Sequence, residues 1–133
     1  MGGAVPVFRQ QDGGSGLRMQ AEATRSLIWA SVSKIIYGDN MLVFPEGTRN
    51  KGDPANLGPL HKSVGRIAVD ASNKVGVSIL PITLWFGERN ERGWLKPRVY
   101  LSQPLIGPFK EARQTVSDLR SSMTEGLSKV SGL

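Results

Sequence analysis

Met41-Leu42-Val43-Phe44-Pro45-Glu46-Gly47-Thr48-Arg49 runs from an unbroken apolar tetrapeptide into a proline, a carboxylate, a glycine, a hydroxyl and a guanidinium. Four consecutive apolar residues, bounded by Asp39-Asn40 and Pro45, suit a strand buried on both faces better than a half-exposed one. Open α/β sheets bind ligands beyond the carboxyl ends of their strands, and Glu46 to Arg49 lies at such an end.

The flanking segments extend this pattern in both directions. Upstream, Leu27, Ile28, Val32, Ile35 and Ile36 recur at helical spacing within Leu17 to Tyr37, and Gly38 is placed to serve as a left-handed C-cap. Earlier still, Gly3 to Arg9 reads as a short apolar strand, and Gln11 to Gly16 as a loop that either shapes a site or simply turns the chain. Downstream, Asn50 to Pro59 is rich in Gly and Pro and predicts a surface loop.

His61 to Lys74 then predicts a helix, with Val64, Ile67, Ala68 and Ala71 on one face. Val77 to Trp85 predicts a strand in which Pro81 demands an edge, a bulge or an end. Gly87 to Gly93 reads as a charged turn, Lys96 to Leu101 as a last strand, and Gln103 to Pro108 as a turn-rich exit. Val116, Leu119, Met123, Leu127 and Val130 mark one face of a C-terminal helix that Thr115-x-x-Asp118 is spaced to cap. Alternating strands and helices predict an α/β fold with a mostly parallel or mixed sheet and flanking helices.

Composition narrows the chemistry. The 133 residues are 39% hydrophobic and 21% charged, which fits one small folded domain spanning 1–133. With no cysteine there is no disulfide frame, thiolate nucleophile or Cys-based metal site, and a single histidine, His61, excludes any site needing two imidazoles. No metal site is expected. The charge of +6 favours anionic partners, yet the basic residues are scattered. Trp29, Trp85 and Trp94 are not interleaved with basic clusters, so no nucleic-acid partner is expected. No apolar run approaches the ~20 residues needed to span a bilayer.

At the end of the 41–44 strand the residue types suit a phosphorylated ligand. Gly47 permits close backbone approach, Thr48 offers a hydroxyl and an N–H, Arg49 presents a planar fork, and Glu46 can orient either neighbour. A turn closed by an internal Glu46–Arg49 pair uses the same residues equally well. Arg9, at the end of the first strand, either reaches the same sheet edge as Arg49 or is an ordinary surface charge.

Phe44 to Arg49 resembles the F-P-E-G-T-R block of the glycerolipid acyltransferases, the 1-acyl-glycerol-3-phosphate acyltransferase type. Gly3 to Arg9 resembles the preceding G-x-[IVF]-P-V-x-R strand, and Asp12 fits its R-x-x-D continuation. Leu60-His61-Lys62 with Gly65-Arg66-Ile67-Ala68 is similar to the helix that follows the motif, and Ile79-Leu80-Pro81-Ile82 to a later proline-containing strand. The resemblance spans nearly the whole chain. It implies a glycerol-3-phosphate acyltransferase-like fold in which Arg9, Glu46, Gly47, Thr48 and Arg49 hold the acceptor's glycerol phosphate.

The family also carries an H-x-x-x-x-D block, whose histidine is the general base on the acceptor hydroxyl and whose aspartate orients it. No such block occurs here: His61 is followed five positions later by Arg66. No catalytic residue is therefore assigned, His61 is expected to be structural or at the rim, and the chain is read as the C-terminal, N-terminally truncated part of the family domain.

The reaction the resemblance implies is acyl transfer to a lysophosphatidate-like acceptor in phospholipid biosynthesis. Acyl-CoA or acyl carrier protein is the co-substrate, and no cofactor is needed. It also implies peripheral association with a membrane surface on the cytoplasmic side. The alternative is a catalytically inert homologue that binds anionic lipid or a partner acyltransferase. Loss of the N-terminal part is expected to expose a sheet edge and apolar surface.

Overall fold

A computed structural model describes residues 17–47 and 56–131. The first strand, the loop after it and the loop expected at 50–59 fall wholly or partly outside those residues. Three helices and two small sheets follow in the order α1 (Leu17–Ile36), α2 (Lys62–Ser72), β1 (Ser78–Ile79), β2 (Ile82–Trp85), β3 (Arg98–Leu101), β4 (Leu105–Ile106) and α3 (Ala112–Ser131).

The stop of α1 follows from Gly38. Its φ of +94° is open to glycine, and it lets Gly38 N–H donate to Ile35 O while Asp39 N–H donates to Lys34 O. That pair of bonds is a Schellman motif, which satisfies carbonyls the helix end would otherwise leave unpaired. The chain then continues into Met41–Phe44.

The helices form one layer, with α2 between α1 and α3, and α3 lying on β2 and β3. The core is built from Ile67, Ala68 and Ala71 of α2 and Leu119, Met123, Leu127 and Val130 of α3. Gly65 lets α2 approach the first turn of α3, because a Cβ there would collide with Ala112 O and Val116. Gly126 does the same for α3 against Thr83 and Tyr100 of the strands.

Among the described residues every strand pairing is antiparallel, as β1–β4 and β2–β3. The mostly parallel or mixed sheet expected from the strand–helix alternation is therefore not what these residues build, although helices and strands do combine in an α/β arrangement. Met41–Phe44, read as a parallel strand, forms neither helix nor strand and has no ladder partner among the described residues, and Leu42 and Phe44 are exposed. The β2–β3 geometry follows from the connection, which doubles back on itself through an antiparallel bridge between Arg89 and Leu95. Asn90 Oδ1 accepts the N–H groups of Arg92 and Trp94, Gly93 has φ +80°, and the chain folds back as a hairpin.

Pro81 splits the expected 77–85 strand. It has no N–H to donate, so the ladder stops at β1 and resumes at β2. Two residues separate Ile79 from Ile82, whereas three separate Leu101 from Leu105, which offsets the register by one residue in the manner of a bulge. The turn-rich exit thus contains a short strand, β4.

Thr115 lies inside α3, its hydroxyl donating to Glu111 O at 2.8 Å, and Asp118 accepts from Gln114. The proposed cap does not form, because the helix starts at Ala112. The far end of α3 is tied to the hairpin by Arg98. Its guanidinium pairs with Glu88, donates to Val130 O at 3.1 Å and lies over the Trp85 ring.

Candidate functional site

The site is built around Phe44-Pro45-Glu46-Gly47, which forms a β-turn. Gly47 N–H donates to Phe44 O at 3.0 Å. Pro45 stands at the second position, where its fixed φ suits the turn, and Glu46 at the third has no positive φ, which makes the turn type I rather than type II. Gly47 at the fourth position has φ +67°, so the chain leaves the turn in a direction that glycine adopts without steric cost.

Three contacts hold the turn against the rest of the domain. His61 N–H donates to Pro45 O at 2.6 Å, which ties the turn to the residue just before α2. The His61 ring lies beside Gly47, and its Nδ1 is 3.2 Å from Ser63 Oγ. On the other side the half-buried Glu46 carboxylate accepts Gly58 N–H at 3.0 Å, twelve positions along the chain. Arg120 of α3 in turn donates to Gly58 O at 2.9 Å and Leu57 O at 3.2 Å.

Of the five residues assigned to acceptor binding, Glu46 and Gly47 stand together on this turn. Arg9, Thr48 and Arg49 lie outside the described residues, as does Asp12. His61, expected to be structural or at the rim, is exposed beside Gly47, and its backbone rather than its ring makes the anchoring bond.

Sequence reasoning missed Gly58 and Arg120. Gly58 sat in an interval read only as loop. Arg120 belongs to the last helix, and nothing in its spacing announces a contact 62 positions away.

The arrangement offers one half-buried carboxylate and, at Gly47, backbone that carries no side chain of its own and has the His61 ring on one side. No group of acidic or histidine side chains among the described residues can hold a metal ion. A surface depression lined by Asn73, Lys74, Val77 and Pro108 lies at the opposite end of α2, a helix about 16 Å long, and so does not belong to this site. No helix among the described residues is long and apolar enough to cross a membrane.

No curated protein matches the chain, and no solved structure does either. The sequence profile described as Acyltransferase matches residues 2–85, well over half of the chain, a stretch that takes in α1, the turn, α2 and β2. General acyl transfer is the chemistry this match supports. With the proline–glutamate–glycine turn inside the matched stretch, this chain belongs to the acyltransferase family.

Proposed function

We propose that this domain takes part in acyl transfer from acyl-CoA or acyl carrier protein to the free hydroxyl of a lysophosphatidate-like acceptor, and that it supplies the acceptor's phosphate site. The observation that carries the reading is the turn itself. Glu46 and Gly47 are presented on a type I turn anchored on both flanks, and the next two residues in the chain are a hydroxyl and a guanidinium.

Each group has a role in this reading. Gly47 lets a phosphate approach the backbone, Thr48 donates from its hydroxyl and N–H, and Arg49 offers a planar fork that matches phosphate oxygens. Arg9 adds a second guanidinium, and Glu46 orients the donors. The acceptor hydroxyl attacks the acyl thioester, its proton passes to a base, and the thiolate leaves. This sequence contains no H-x-x-x-x-D pair to be that base. The chain is accordingly proposed to bind acceptor and to need a base-bearing segment for turnover. Contact with a membrane surface follows from the lipid nature of acceptor and product.

The lack of that pair is also what favours the second reading, a homologue that binds anionic lipid or a partner acyltransferase and does no chemistry. Labelled acyl-CoA and lysophosphatidate separate the two. The chain alone is expected to give no product, and the chain joined to an N-terminal segment bearing H-x-x-x-x-D to give product in an Arg49-dependent way. Failure of the joined chain, with acceptor still bound, selects the inert homologue.

A further inference from the structure

The peptide unit between Leu57 and Gly58 is held at both of its poles. Its carbonyl oxygen accepts Arg120 Nη2 at 3.2 Å, and its N–H donates to Glu46 Oε2 at 3.0 Å. This peptide is trans, so the two groups point in opposite directions along one dipole. A cation at the carbonyl pole and an anion at the amide pole polarise the same unit in the same sense, and each strengthens the other's hydrogen bond. Arg120 Nη1 also reaches Gly58 O at 2.9 Å, so the guanidinium fork spans two successive carbonyls and fixes the plane between them.

We propose that Arg120 is a positioning residue for the Glu46 turn: by fixing the Leu57–Gly58 peptide plane it aims Gly58 N–H at the carboxylate and holds Glu46 in the orientation an acceptor meets. Arg120 lies beyond the 2–85 stretch that identifies the family, on a helix whose inward face is made by Leu119, Met123 and Leu127. Its side chain is exposed, so its substitution leaves that packing intact. A lysine cannot reproduce the effect in full, because an ammonium has no planar fork to span two carbonyls. A glycine at position 58 completes the device. A Cβ there would stand 2.8 Å from Glu46 Oε2, crowding the carboxylate out of its place.

Only the last step, toward an acceptor, rests on the proposed function. The test therefore has one arm without ligand and one with it. In the first, the amide resonances of the 133-residue chain are recorded by NMR. The Gly58 amide proton is expected downfield, as carboxylate-bonded amides are, and Glu46→Ala to move it upfield. Arg120→Ala is expected to move it in the same direction, and Arg120→Lys by part of that amount, with unchanged far-UV circular dichroism. A Gly58 resonance that ignores Arg120→Ala overturns the proposal.

In the second arm, the affinity for lysophosphatidate is expected to fall about tenfold in Arg120→Ala and not at all when Arg120→Ala is added to Glu46→Ala. An equal loss on both backgrounds overturns the proposal, since Arg120 would then act other than through Glu46. A wild-type chain that does not bind lysophosphatidate overturns the acceptor reading instead, and the Gly58 resonance still decides the role of Arg120.

Discussion

The imidazole of His61 lies against Gly47, so closely that a Cβ on Gly47 would stand 3.3 Å from His61 Cδ2. Gly47 also has φ +67°, where an L-residue costs about 1–2 kcal/mol. Gly47→Ala is therefore expected to lower stability by roughly that amount and to weaken acceptor binding through distortion of the turn. Chemical denaturation and a binding isotherm on the same variant check both effects.

The backbone of His61, rather than its ring, anchors Pro45. His61→Ala is expected to fold and to keep most acceptor binding. His61→Pro is the informative counterpart: it loses the ring as His61→Ala does, fits the observed φ of −71°, and in addition removes the N–H. It is expected to release the turn and to cost about 1–3 kcal/mol by leaving Pro45 O unpaired. Equal behaviour of the two variants in thermal melts would contradict this division of labour.

Thr83 and Gly126 meet where β2 packs on α3. Thr83 is buried, and its hydroxyl has no hydrogen-bond partner among the described residues. Thr83→Val keeps the shape and removes the orphaned group, so it is expected to raise stability by about 1 kcal/mol. Gly126→Ala places a methyl 2.5 Å from Thr83 Oγ1 and is expected to destabilise by about 1–3 kcal/mol. Urea midpoints of the two variants should move in opposite directions.

On the other face of the same hairpin, Ile82 and Leu101 are paired across the strands, as are Leu84 and Val99. All four are exposed, between 41% and 61%, and together they make one apolar patch. A patch of this kind promotes association. The chain is expected to scatter light increasingly with concentration, and Leu84→Lys to reduce that scattering without lowering the melting temperature.

The helices were legible because their signals are local. Gly38 announces the Schellman end of α1, and the spacing of Leu119, Met123, Leu127 and Val130 marks the buried face of α3. Strand direction was not legible in the same way. Met41–Phe44 is apolar throughout, which fits a strand covered on both faces, but apolarity says nothing about which neighbour pairs with it. Asn90 and Gly93, by contrast, set the hairpin that makes β2 and β3 antiparallel, and the sequence marked them only as a charged turn. The same division holds at the site. Pro45, Glu46 and Gly47 carry their turn in their residue types, whereas Arg120 reaches Leu57 and Gly58 only because α3 folds back across the domain, a tertiary relation that no local pattern encodes.

The Phe44–Gly47 turn, with Arg49 after it, is proposed to hold the phosphate of a lysophosphatidate-like acceptor. The most direct measurement is isothermal titration of the 133-residue chain with lysophosphatidate, beside Arg49→Ala. Saturable binding that weakens at least tenfold in the variant, with the fold unchanged by circular dichroism, is the predicted result. Binding of equal strength in both proteins, or none in either, would contradict it.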